Sequence, residues 1–293
     1  MSHAPTAPDP LRAALLMVAA SGLVAATTLL AKAVGSGALG PALSPLQLSF
    51  GRFLFAFLAM AAVVAVLRPA MVRPSWGLHM GRTLTGWGGT TLLFAAVVYL
   101  PLSDATAISF LSPVVTMVLA VVLLRERVGP VRWTAAGIAL VGMVILLRPG
   151  PESFQPAALL ALAAAASLGL EAIIIKWLTA RERPLQILFV NNGVGTVVAG
   201  LAALAVWQAP TAAQWAAMAG IGVLMVAGQA CYLWAMRMAD ASYVAPIFYL
   251  TLAFAAFYDF AVFGVVPDAV SLAGAVVLVS GAALIAWREG RRR

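Results

Sequence analysis

Long apolar stretches of this chain carry a sparse set of side chains that could do chemistry. Arg52, Glu171 and Asp259 are ionisable, and Thr91, Phe94, Ser109, Ser112, Asn191, Gln229, Tyr232 and Tyr249 add hydroxyls, amides and rings. A charge in hydrocarbon costs about 2.5–3.5 kcal/mol on insertion scales, so such groups face protein or water and mark a pathway or a site. Arg52 is of the type that binds a carboxylate in bidentate fashion; the other reading is an arginine that snorkels and ties helix ends together. Glu171 could take up and release a proton or attract an ammonium group, or it could pair with Lys176 or Arg237. Asp259 reads as a hydrated carboxylate near a helix end. The hydroxyls, the Gln229 amide and the rings suit a small amphipathic solute, with ordinary helix packing as the competing reading for each residue.

Other chemistries are absent. No Ser/His/Asp or Cys/His constellation occurs, no Walker sequence is present, and the two histidines, His3 and His79, are far apart. No metal-ligand spacing exists, and the one cysteine, Cys231, permits no intramolecular disulfide. Gly35-Ser36-Gly37-Ala38-Leu39-Gly40 fits G-x-G-x-x-G, but no strand precedes it and no acid follows at the required distance. Neither an enzyme nor a bound cofactor is expected.

The elements that position these groups follow from composition. The chain is 63% hydrophobic and 10% charged. About twenty apolar residues, at 1.5 Å rise each, cross the roughly 30 Å of a bilayer's hydrocarbon. Ten such spans are predicted, near 13–34, 45–67, 80–100, 104–124 and 131–147, then 157–178, 186–206, 214–236, 241–263 and 268–287. Backbone in lipid must bond within its own segment, and the runs are too long and uniformly apolar for barrel strands. The fold class is an all-α integral membrane protein. The first span continues past the length of a cleaved signal peptide.

The net charge of +8 reads as topology, not as nucleic-acid binding. With a cytoplasmic N-terminus, fifteen of the basic residues fall on the inner side and only Lys32 and Arg148 on the outer side. This bias places both termini in the cytoplasm. Residues 288–293 form a basic tail suited to anionic lipid headgroups. Glu126, between Arg125 and Arg127, reads as part of a solvated loop that sets orientation. Asp104 and Asp240 stand where helix N-caps belong.

Three matches relate the two sets of five spans. Pro45-Leu46-Gln47 corresponds to Pro184-Leu185-Gln186, Leu30-Ala31-Lys32 to Ile174-Ile175-Lys176, and Asp104-Ala105-Thr106 to Asp240-Ala241-Ser242, at spacings of 139, 144 and 136 residues. The first repeat is 1–147, a periplasmic linker rich in proline runs 148–156, and the second repeat is 157–287. Five is odd, so the second half enters the membrane inverted, an architecture of transporters with a site near the midplane. The fifth and tenth spans are poor in polar groups apart from Ser271 and Ser280. With Gly137, Gly142, Gly274 and Gly281 they offer close-packing faces, for a scaffold or for a homodimer. Pro113 and Pro246 interrupt the fourth and ninth spans.

On these residues the chain resembles the EamA branch of the drug/metabolite transporter superfamily. The resemblance rests on Pro-Leu-Gln-Leu-Ser-Phe-Gly-Arg-Phe (45–53), on Leu102–Pro113, and on Leu123-Leu124-Arg125-Glu126-Arg127 followed by Trp133 and Gly137. It covers roughly 11–287. Where the family often repeats the junction glutamate, Phe263-Gly264-Val265 has valine, so a mechanism using both glutamates does not carry over. The resemblance implies a secondary transporter or facilitator of a bacterial inner membrane, working by alternating access. Its expected substrates are small amphipathic metabolites, with export of amino acids, including aromatic ones (the YddG type), as the leading expectation. Uptake of a nucleoside-like, riboflavin-like or S-adenosylmethionine-like solute is the alternative, and a non-transporting membrane subunit or membrane enzyme is the alternative from another class.

Overall fold

The computed structural model describes residues 9–35, 39–100, 102–150, 155–264, 266 and 268–290. The side chains of Lys32, Phe94, Asp104 and Asp259, and the whole of Ser36–Ala38 and Val265, lie outside the described residues. The described residues form twelve helices: α1 (Pro10–Gly35), α2 (Pro45–Leu67), α3 (Trp76–Tyr99), α4 (Leu102–Ser109), α5 (Ser112–Leu123), α6 (Pro130–Leu147), α7 (Ala158–Arg181), α8 (Pro184–Leu204), α9 (Ala212–Met238), α10 (Ala241–Ile247), α11 (Leu250–Phe263) and α12 (Ala269–Gly290). Among the described residues, nine helical stretches are long and apolar enough to cross a membrane, with α4–α5 and α10–α11 each counting as one. The tenth span, α3, has 24 residues and is more polar, carrying His79, Arg82 and four threonines.

Local chemistry sets many helix ends. Proline in the first turn opens α2, α6 and α8, where its missing N–H costs nothing. The Ser44 hydroxyl accepts from the Leu46 N–H, and Thr211 with Gln214 forms a capping box at the start of α9. The fourth and ninth spans are broken as expected, at Phe110–Leu111 and at Phe248–Tyr249. Pro113 stands in the first turn of α5, and Pro246 sits inside α10, where its ring removes a donor and crowds the preceding turn.

The two halves pack as an inverted pair. α1 lies along α9 as α7 lies along α3, and α1 meets α11 as α7 meets α5. The counterparts α2 and α8 pack on each other, as do α6 and α12. The glutamines of the Pro-Leu-Gln repeats give the same relation atom by atom. Gln186 Nε2 donates to the Val72 carbonyl at 2.9 Å, and its Oε1 accepts the Val72 N–H at 2.8 Å. Gln47 makes the same two bonds with the backbone of Gln208, at the opposite end of the bundle. The protein is therefore an all-helical membrane protein of two inverted five-helix repeats.

Large apolar side chains such as Leu15, Leu58, Leu159, Val197, Leu201 and Val276 point outward. In water such a surface would be a liability; in a bilayer it is the lipid face. Close packing of α6 on α12 uses the expected glycines. A Cβ on Gly142 would lie 2.4 Å from the Leu278 nitrogen, on Gly274 2.7 Å from that of Leu146, and on Gly281 2.7 Å from that of Ala139. These faces are consumed within the chain, and only Gly137 of the four has open space beside it. A close-packed homodimer face built on this glycine set is therefore not what the set provides.

Candidate functional site

A cavity of about 230 Å³ lies between the halves. Its walls come from α1 (Ala20, Val24), α3 (Arg82), α5 (Ser112, Pro113, Thr116), α7 (Leu168, Glu171, Ala172, Ile175), α9 (Met225, Gln229, Tyr232) and α10 with the residue after it (Ala245, Phe248). The cavity thus borders both helix breaks and draws on both repeats, while α6 and α12 contribute nothing to it.

The main polar feature is an ion pair. Arg82 Nε lies 3.8 Å from Glu171 Oε1, with side chains 2% and 24% exposed. The distance exceeds a hydrogen bond, and Arg82 Nε and Nη1 are buried with no acceptor. The Gln229 Oε1 acceptor is likewise buried and without a donor. Leaving one charge of a buried pair alone costs about 3–5 kcal/mol, so each partner depends on the other. Glycines on α3 make the arrangement possible. A Cβ on Gly86 would lie 2.9 Å from the Glu171 carboxylate, and one on Gly89 2.8 Å from Leu168. The Ser167 hydroxyl donates to the Thr85 carbonyl at 2.8 Å and binds α7 to α3 beside the pair. The rings of Tyr232 and Phe248 meet edge to face at 6.2 Å between centroids.

Of the residues expected at a site, Ser112, Gln229, Tyr232 and Glu171 line the cavity. Arg52 does not line it, although it stands within electrostatic reach of Glu171 from α2. Asn191 accepts from the Thr83 hydroxyl at 3.5 Å, a contact between α8 and α3. Thr91 is on the exposed face of α3 with its hydroxyl bonded back to the Trp87 carbonyl. Ser109 is buried and bonded back to Thr106. Tyr249 is fully buried against Phe110 behind the cavity wall, with an unpartnered hydroxyl. None of these five lines the cavity: Arg52, Asn191, Thr91 and Ser109 sit on helix faces turned elsewhere, and Tyr249 lies in the turn between α10 and α11.

Glu171 pairs neither with Lys176 nor with Arg237. Lys176 Nζ donates to the carbonyls of Met236, at 2.6 Å, and Ala239, at the C-terminal end of α9, where a cation suits the helix dipole. Sequence reading missed Arg82, which it placed among the basic residues at a membrane surface. The available signal was a pair of opposite intramembrane charges, one in each repeat.

The end of the bundle that carries Arg12, Arg68 and Arg181 is cross-linked by polar bonds between elements. Glu126, expected to be solvated, accepts from the N–H groups of Ala241 and Ser242 at 2.9 and 3.0 Å and caps α10 from the other repeat. Asp240 stands at the N-cap position without a capping bond and instead accepts from Arg132 Nη1 at 2.9 Å. Beside them, Glu182 accepts from the Ser75 N–H at 2.7 Å, from His79 Nε2 at 2.9 Å and from Gln186 Nε2 at 2.8 Å. At the opposite end, Arg148 donates to both carboxylate oxygens of Asp268.

Comparison with known proteins agrees with this geometry. The model of the EamA-like transporter family matches twice, at residues 11–148 and 155–287. An S-adenosylmethionine uptake transporter of Rickettsia bellii is 31% identical over 252 residues, covering 86% of this chain and 87% of the relative. A riboflavin transporter of Rhizobium johnstonii is 31% identical over 252 residues, covering 83% and 82%. A pseudopaline exporter, CntI, of Pseudomonas aeruginosa is 27% identical over 188 residues, covering 64% and 66%. A solved crystal structure superposes with a TM-score of 0.79 at 19% identity over 94% of this chain and 98% of that one, a likeness of fold.

Proposed function

Because the chain belongs to the EamA-like transporter family, we propose that the central cavity is its transport site and carries small amphipathic metabolites by alternating access. The observation that carries this reading is the cavity itself, shared between inverted repeats and bounded by a broken helix from each. Such breaks put ends of half-helices and free backbone groups at mid-depth, where two halves can rock about a site. A polar head meets Arg82, Glu171, Ser112 and Gln229, and an apolar or ring-bearing body meets Tyr232 and Phe248. No energy-coupling nucleotide site is required, and the carrier runs as a secondary transporter or facilitator.

The basic end faces the cytoplasm of a bacterium in this reading, following the positive-inside bias, and the protein resides in the inner membrane. Export of amino acids, aromatic ones included, fits a cavity with a charged pair beside two rings. Uptake of an S-adenosylmethionine-like or riboflavin-like solute is the second reading, favoured by the names of relatives aligned over more than four-fifths of the chain.

Radiolabelled flux into proteoliposomes tests both readings. Phenylalanine, S-adenosylmethionine and riboflavin are presented from either side, with Gln229→Ala and Ser280→Ala as variants. Flux of one solute that falls with Gln229→Ala and is untouched by Ser280→Ala is the expected result. Equal losses from the two variants would remove the cavity from the transport path.

A further inference from the structure

We propose that the Arg82–Glu171 pair is the head-group seat of this cavity and that it selects zwitterions. A cationic group of the solute docks on the Glu171 carboxylate, and a carboxylate of the same solute docks on the Arg82 guanidinium. The inference rests on the reading of the cavity as the transport site and goes further by naming the chemical class carried.

The geometry of the pair leaves hydrogen-bonding capacity unused. A pair serving only to hold helices together would close to the usual 2.7–2.9 Å of a charge-assisted bond. Here Nε and Oε1 stay 3.8 Å apart, and two guanidinium nitrogens, Nε and Nη1, find no acceptor within hydrogen-bond distance. Unsatisfied buried donors are uncommon and call for an explanation. Across the cavity, Gln229 holds a buried acceptor with no donor. The unmet valences are therefore donors on α3 and an acceptor on α9, which complement a carboxylate and an ammonium.

Charge balance decides which solutes fit. Arg82 and Glu171 neutralise each other, with Arg52 as a further, more distant cation in reach of Glu171. A solute bearing both charges takes over both partners and leaves none alone. A solute bearing only an ammonium leaves Arg82 alone, and one bearing only a carboxylate leaves Glu171 with only the more distant Arg52, so either gives up a close buried pairing, the expensive outcome. Glu171 is the more exposed member of the pair, and Tyr232 lines the same cavity, so a ring that can favour a cation is available to the solute's cationic group.

The test measures binding and flux separately. Ligand-induced shifts in thermal unfolding of the purified protein are read with phenylalanine, its amide (cation only) and 3-phenylpropionate (anion only). A second set uses S-adenosylmethionine against 5′-methylthioadenosine, which lacks the amino-acid head. In each set we expect the zwitterion to bind at least about tenfold more tightly than its truncated analogues. The double variant Arg82→Gln with Glu171→Gln, neutral at both positions, should fold and lose that preference, even where a single variant fails to fold. Truncated analogues binding as well as the zwitterions, no zwitterion of either set binding, or a preference that survives in the double variant would each overturn the proposal. Zwitterion-selective binding without flux would leave the seat standing and refute the transport reading; flux without selectivity would do the reverse.

Discussion

The carboxylate of Glu126 accepts both the backbone N–H and the hydroxyl of Ser242, at 3.0 and 2.6 Å, across the boundary between the two repeats. A loop acid from the first half thereby caps a half-helix of the second half, at the end of the bundle rich in arginine. The corresponding position of the second half is Val265, a side chain with no acceptor. The two ends of an otherwise symmetric molecule are thus held by different chemistry.

Loss of this cap should be measurable. Glu126→Ala removes three charge-assisted bonds and is expected to lower stability by about 2 kcal/mol. Thermal unfolding in detergent reads the loss. It should also raise the access of a thiol reagent to a cysteine placed at Ala239, beside the cap. Unchanged stability and unchanged access would show that the contact does not hold this end closed.

Gly86 makes room for the Glu171 carboxylate, so Gly86→Ala must displace that group by several tenths of an ångström or more. Flux should fall by about tenfold, since misplacement of a positioned group by about 1 Å can cost two orders of magnitude. Gly81→Ala, whose Cβ would meet only Ile174 at 3.4 Å, is the control and should retain flux. Equal effects of the two substitutions would argue for helix packing alone.

The cluster around Glu182 predicts acid sensitivity. Burial opposes its charge, but the N–H of Ser75 and the bond from His79 outweigh burial and hold its carboxyl below the ordinary value. A carboxyl whose value is lowered by folding contributes stability that is present above its unfolded value, about 4.3, and lost as pH falls through the lowered folded value. Unfolding temperature should therefore drop on acidification below about pH 4.3, and Glu182→Gln should flatten that limb. A wild-type profile identical to that of the variant would exclude Glu182 as the source.

Orientation is checked by labelling. In a background with Cys231→Ser, single cysteines at Arg181 and Thr211 are exposed to an impermeant thiol reagent from outside intact cells. Label at 211 and none at 181 is expected, because 181 lies at the basic end. The opposite pattern would invert the topology.

Much of this was legible in residue types and spacings. Apolar runs of membrane length specify spans whatever their neighbours, because backbone in lipid has only its own segment to bond with. The Pro-Leu-Gln repeats signalled the inverted halves, and Pro113 and Pro246 signalled breaks in the right spans. Ser112, Gln229, Tyr232 and Glu171 were legible as polar groups where lipid tolerates few. Thr91, Ser109 and Tyr249 looked equivalent to them, since which face of a helix turns inward depends on neighbours distant in sequence.

By itself, then, the sequence determined the helical membrane class, the duplication and the mid-depth polar belt, because these depend on local bonding and on the cost of polar groups in hydrocarbon. Only the tertiary structure decided that Arg82 is a cavity residue. Its helix starts at Trp76, not Met80, where the Ser75 N–H is held by Glu182 from the other repeat. That contact spans 107 positions of chain. It carries Arg82 to the depth of Glu171, and the glycines of α3 let the two helices approach closely enough for the charges to meet. The pairing is a property of the packed repeats, because neither charge has a partner until the two halves close on each other.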